Sequence, residues 1–218
     1  YDRYATKRII ETVKKYKIDI VHLQNIHGNY MGIRDIKEIA KHCRVIWTLH
    51  DMWAITGHCA HAFDCKKWIA GDCSDCPRPE TYPAIRVNTA GEMLATKKNS
   101  FTGSNIAYVS PSQWLCDRFK ESVLKDEYIE VINNGIDIHK YTPGNMNLLR
   151  AKYQIPEDKH VLLFAASNLN SQFRSFPHLL NALSLLKNKS DYCLVVLGNC
   201  DDEIRFDPEF TVFMMGYI

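Results

Sequence analysis

Asp19-Ile20-Val21-His22-Leu23 and Val45-Ile46-Trp47-Thr48-Leu49 are two short apolar runs, each followed by polar residues, and what surrounds them decides the fold class. Runs of this length read as buried strands. Ahead of the first, Tyr4 to Tyr16 sets Ile9, Val13 and Tyr16 on one helical face, and between the two runs Ile33, Ile36, Ala40 and Cys43 recur at helical spacing. Helix, strand, helix, strand is the rhythm of a parallel α/β sheet.

Beyond His50 the pattern dissolves for about thirty residues, long enough for a functional or metal-organised loop, and a helix resumes before Lys97. Ile106 to Val109 reads as the next strand. A helix with Leu115, Phe119 and Val123 inward follows, capped by Ser110 with Pro111 at its first position. Ile129 to Ile132 is a further strand, Asn133-Asn134-Gly135 is turn chemistry, and Pro143-Gly144 marks a domain boundary. The expected domains are thus 1–143, carrying a Cys-rich insert at 57–83, and 144–218. In the second, His160 to Ala166, Tyr192 to Leu197 and Thr211 to Met214 read as strands, and Phe176, Leu179, Leu180, Leu183 and Leu186 line a helix. A doubly wound domain needs more βα units than this, and the chain opens on a helix with no strand before it. Both ends are therefore expected to be missing.

The 218 residues carry 27 Lys+Arg against 25 Asp+Glu, with 46% apolar residues. That balance excludes a disordered chain and argues against a dedicated nucleic-acid binder, whose basic residues would be in excess. No apolar stretch reaches the roughly 18 residues of a membrane span. A small molecule or another protein is the expected partner, in a reducing cytoplasm.

In open parallel sheets ligands bind beyond the carboxyl ends of the strands. Here the first strand is followed by Gln24-Asn25-Ile26-His27-Gly28-Asn29 and the second by His50-Asp51. His27 and His50 thus project from neighbouring strand ends, where an imidazole can hold a hydroxyl or assist proton transfer. Each also suits a plain loop cap. The insert reads Cys59-x5-Cys65-x7-Cys73-x2-Cys76, with His58 and His61 beside it. Four thiolates at this spacing suit a closed structural zinc site, one or two disulfides, or free thiols. With four sulfurs no open position is left for catalysis. Arg174 precedes a helix start, a place suited to phosphate or diphosphate, whereas Asp201, Asp202 and Glu203 read as a solvated turn. GxGxxG, Walker, GxSxG and HExxH motifs do not occur.

Taken together, Asp19-Ile20-Val21-His22 with Asn25-Ile26-His27-Gly28, Trp47 to Trp53 with Thr56-Gly57-His58-Cys59, Val109 to Ser112, and Asn133 to Asp137 with Tyr141 and Pro143 resemble the family 4 glycosyltransferases of the GT-B fold. The likeness is to the bacterial branch that builds colanic acid and other capsular or exopolysaccharides. It implies two Rossmann-like domains, each a parallel sheet with helices on both faces, the second incomplete here.

It also implies metal-independent retaining transfer from a UDP- or GDP-linked sugar to a glycan or lipid-linked acceptor, at or near the inner face of the membrane, with no cofactor for catalysis. His50 matches the family's active-site histidine, followed by Asp51 of the same His-Asp pair. His27, Gly28 and Asn29 match the acceptor-side loop, and Asn134 and Gly135 lead toward the linker. Arg174 stands where the family has a lysine of its diphosphate-binding pair and Asn168 near the usual arginine, while Ser175 replaces a glycine. A glycine-rich N-terminal loop and a late pair of spaced glutamates are not in the chain, so the resemblance implies a fragment inactive alone. A metal-stabilised binding module, or a nucleotide-sugar epimerase or phosphorylase of like architecture, are the alternatives.

Overall fold

β-Branched and aromatic residues place strands β1 (Ile20–Leu23), β2 (Arg44–Thr48), β3 (Ile106–Ser110) and β4 (Ile129–Val131) side by side. All pairings are parallel, in the order β1-β2-β3-β4. The computed structural model describes residues 3–27, 31–169, 176–199 and 206–217. Gly28, Asn29, Arg174, Ser175, Asp201, Asp202 and Glu203 lie outside the described residues, as does the side chain of Asn168. The chain divides into two compact units, Tyr1–Ile136 and Asp137–Ile218.

In the first unit, helices α1 (Arg3–Tyr16), α2 (Ile33–Ala40), α3 (Ala90–Phe101) and α4 (Gln113–Glu121) flank the sheet. α2 packs against both α1 and α3. Ile36, Ile39, Val45, Trp47, Leu94, Phe101, Tyr108 and Phe119 form one core. Asp35 starts α2 by accepting the Gly32 N–H at 2.8 Å, which satisfies a donor the helix cannot.

Two expectations change here. β1 is not a buried strand: only Leu23 is buried and Ile20 is 49% exposed, because β1 ends the strand order and has one neighbour. The cap of α4 is Ser112, not Ser110. Ser112 Oγ accepts from Leu115 N at 3.3 Å, while the Ser110 hydroxyl, fully buried, donates to Ser112 O at 2.7 Å. Pro111 therefore sits before the helix, and Val123 beyond its end.

The second unit begins with a helix the sequence pattern did not reveal, α5 (Met146–Lys152), capped by Asn145. With no buried residue, α5 lacks the apolar stripe that periodicity detects. Strands β5 (His160–Asn168), β6 (Tyr192–Asn199) and β7 (Thr211–Gly216) pair in parallel in that order, with α6 (Phe176–Ser184) after β5. Leu169, Phe176, Leu183, Leu194, Val196 and Phe210 form the core of this unit. Gly198 has φ +131°, and a Cβ there would lie 1.7 Å from the Ala166 carbonyl oxygen, so only glycine lets β6 pass β5 so closely. Among the described residues no helix is long and apolar enough to cross a membrane.

Candidate active site

The parallel register pairs Leu23 with Trp47, so the residues that leave β1 and β2 emerge next to one another. Two polar pairs form there. His50 Nε2 lies 2.6 Å from Gln24 Oε1, Gln24 Nε2 lies 3.0 Å from His22 Nε2, and His22 Nε2 lies 2.8 Å from Thr48 Oγ1. His27 Nε2 lies 2.7 Å from Asp51 Oδ2, and Asp51 Oδ1 accepts the Trp53 N–H at 2.8 Å. The two histidines therefore share a crevice edge yet belong to different networks.

The Gln24 amide sets the polarity of the first. Its carbonyl accepts from His50 Nε2 and its N–H donates to His22, so the His50 proton sits on Nε2 and Nδ1 keeps its lone pair. His22, Gln24 and His50 are all exposed, as groups that meet a ligand must be. The second network is more enclosed. The His27 side chain is 8% exposed and lies between Trp53, at 5.9 Å between ring centroids, and Tyr82, edge-on at 5.5 Å. Among the described residues its Nδ1 has no hydrogen-bond partner. Both Asp51 oxygens are engaged by His27 and the turn, so Asp51 orients His27 and not His50.

Sequence reasoning missed His22, Gln24 and Lys97. His22 lies within a strand and Gln24 within a loop, and only pairing across β1 and β2 gives them a partner. Lys97 sits on α3 with its side chain fully buried. Its Nζ donates to the carbonyls of Trp53 at 2.5 Å, Thr56 at 3.0 Å and Gly57 at 3.0 Å. These three acceptors match the three N–H bonds of an ammonium and fix the chain just after Asp51. Burial pulls the Lys97 pKa down to about 7, against which the nearby Cys59, Cys73 and Asp51 act.

A 3-10 turn at Trp53–Ile55 leads into the insert, which folds through hydrogen bonds between loop residues. Met52 N donates to Ala60 O, and Ala60 N to Tyr82 O, each at 2.8 Å. Trp68, buried, donates its indole N–H to Cys65 O at 2.9 Å. Cys59, Cys65, Cys73 and Cys76 all line one cavity of about 20 Å³, with His58, Trp68 and Ala90 in its wall. All four are free thiols, and His58 Nε2 lies 3.4 Å from Cys76 Sγ. Among the described residues no three His, Cys, Asp or Glu side chains are already placed as a metal would hold them.

Asn134 and Gly135 are exposed in the coil after β4, and a Cβ at Gly135 would meet nothing within 4 Å. A larger cavity, about 700 Å³, opens between α1 and α2 and is lined by Lys7, Glu11, Lys14, Arg34 and Glu38. It does not lie at the strand ends, so the two histidine networks define the candidate site better than cavity size does.

A parallel α/β sheet with polar residues clustered beyond its strand ends is the architecture of a ligand-binding α/β domain. The Glycosyltransferase Family 4 model matches residues 1–140, and the chain belongs to that family. Over 129 residues it is 29% identical to "Putative colanic acid biosynthesis glycosyl transferase WcaC" of Escherichia coli (strain K12), which covers 55% of this chain and 31% of that protein. The chain thus spans about a third of that relative's length. A solved structure of a glycosyltransferase from Rickettsia africae ESF-5 aligns at 18% identity and TM-score 0.49, covering 89% of this chain and 42% of that one.

Proposed function

We propose that the protein acts as a retaining glycosyltransferase, moving a sugar from a UDP- or GDP-linked donor to a glycan or lipid-linked acceptor in bacterial surface polysaccharide synthesis, in the cytoplasm or at the inner face of the membrane. The observation that carries this reading is the placement of His50 and His27 at adjacent strand ends in a chain of family 4. The similarity to a protein named for colanic acid biosynthesis supports the polysaccharide context.

In this reading His50 contacts the transferred sugar, its Nδ1 lone pair accepting a sugar hydroxyl while Gln24 holds the ring. His27, oriented by Asp51, borders the acceptor together with Gly28 and Asn29. Arg174, Asn168, Asn134 and Gly135 face the donor diphosphate, whose departure needs positive electrostatic stabilisation. Catalysis itself uses no metal or other cofactor. In this reading residues 1–218 alone turn over no sugar.

The test is a transfer assay with radiolabelled UDP- and GDP-hexoses and membrane-extracted lipid-linked acceptors. It compares the 218 residues with a chain that carries the adjoining coding sequence. Transfer with retained anomeric configuration by the longer chain is expected, with His50→Ala slowing it by roughly 10²-fold. Turnover by the 218 residues refutes the fragment reading. An isomerised donor or a sugar phosphate as product points to an epimerase or phosphorylase instead.

A further inference from the structure

The cavity inside the 57–83 insert has no part in the proposed transfer chemistry, yet it gathers four of the eight cysteines of the chain. The sulfurs come from four positions, Cys59, Cys65, Cys73 and Cys76, of a loop without helix or strand after Ile55. Cys59 and Cys73 lie near Cys76, and Cys65 near Cys73, closely enough for each charge to be felt by the next. Hydrogen bonds between loop residues and a few buried side chains, Ala62 and Trp68 among them, hold this loop, and a metal would add to them. Its cavity of about 20 Å³ has room for a single small occupant.

We propose that Cys59, Cys65, Cys73 and Cys76 bind one zinc ion as a closed tetrathiolate that folds the insert. As the ion enters, four S–H bonds release four protons and four Zn–S bonds form, each about 2.3 Å long. No electron is transferred. Among the described residues the sulfurs are not placed at ligating distances, so binding requires the loop to close around the ion. All positions around it are then taken by sulfur, which leaves none for substrate.

One neighbour fits this assignment. Four thiolates around a divalent ion form a dianion, and the buried Lys97 is the cation whose field reaches Cys59 and Cys73.

The same ammonium joins the metal loop to the site. Lys97 grips the carbonyls of Trp53, Thr56 and Gly57, between the Asp51 that orients His27 and the first ligand, Cys59. The zinc centre is accordingly a structural staple for the strand-end loop, and its existence is independent of which sugar is moved.

Metal analysis of the purified protein by inductively coupled plasma mass spectrometry, together with thiol counting in denaturant with chelator and without reductant, tests this. One zinc per chain and all eight cysteines titrating as thiols are expected. Cys73→Ser and Cys76→Ser should each lose the zinc, whereas Cys116→Ser, outside the insert, should retain it. Where those variants do not fold, exchange of the wild-type zinc for Cd²⁺ reads the same ligands through the ultraviolet sulfur-to-metal charge-transfer band. A shortfall of thiols that reductant restores means disulfides and overturns the proposal. So do eight thiols without metal, or iron in place of zinc.

Discussion

The ammonium nitrogen of Lys97 lies 3.7 Å from the centroid of the Trp53 ring while also donating to the Trp53 carbonyl. One buried cation thereby fixes both the side chain and the backbone of the residue after Met52. Trp53 in turn packs against His27 and against Trp47 of β2, so this contact joins α3 to the strand-end networks.

Lys97→Met should be strongly destabilising. The methionine fills a similar volume but leaves three carbonyls without donors, at roughly 1–3 kcal/mol for each buried group left unpaired. A loss of about 3 kcal/mol or more in urea unfolding is expected. A loss below about 1 kcal/mol would mean that the carbonyls find other donors.

The pH dependence follows with a definite sign. Folding lowers the Lys97 pKa from 10.5 to about 7, so between those limits the unfolded chain binds more protons than the folded one. Stability should therefore rise as pH climbs from about 7 toward 10.5, and the contribution of this group should be least favourable below 7. Urea midpoints across that range, compared between wild type and Lys97→Met, isolate the effect. Parallel profiles would show that the three carbonyls and the indole face keep the lysine charged throughout.

Tyr108→Phe should leave the protein as stable as before, or more stable by about 1 kcal/mol. The Tyr108 hydroxyl is buried in the β3 core and has no hydrogen-bond partner among the described residues. Removing an unsatisfied polar atom relieves a desolvation cost while the ring keeps its packing on Phe119, 4.8 Å away. Thermal unfolding of the variant is the check, and a fall in Tm of several degrees would reveal a partner for the hydroxyl.

Gly57→Ala should cost about 1–3 kcal/mol, the usual range for overpacking. An added Cβ would stand 2.7 Å from the Ala90 carbonyl oxygen and 2.8 Å from Ala90 Cβ, both fixed at the first turn of α3. Equal stability in denaturant would mean that the insert slides off α3 without penalty.

Gln24→Ala should abolish the tautomer preference of His50. Nitrogen NMR of the wild-type ring at a pH where it is neutral is expected to show the proton on Nε2, as the 2.6 Å contact to Gln24 Oε1 requires. A proton on Nδ1 in the wild type would reverse the assigned amide orientation.

Much of the architecture was open to reading because burial imposes periodicity. The apolar runs of β2 and β3 and the apolar face of α2 mark their own positions, and the strand ends locate the crevice before any coordinates exist. Elements without that signature behave differently. α5 buries nothing and so left no stripe, and Ser110 and Ser112 are equally good caps on paper. Only the bend of the chain after β3 decides which hydroxyl meets Leu115 N.

The site divides along the same line. His27, His50 and the four cysteines announce themselves by residue type and spacing, which are properties of the chain. Their partners do not. His50 meets Gln24 across 26 positions and Lys97 meets Trp53 across 44, separations that no local pattern encodes. By itself the sequence determined the parallel α/β rhythm, the crevice edge and the family resemblance, because hydrophobic periodicity and strand-end chemistry are local. The tertiary structure alone decided that Asp51 serves His27, that Gln24 orients His50 and that a buried lysine anchors the entrance to the cysteine-rich loop. Those choices depend on strand register and on helix packing, which bring distant residues within hydrogen-bond reach only after the chain has folded.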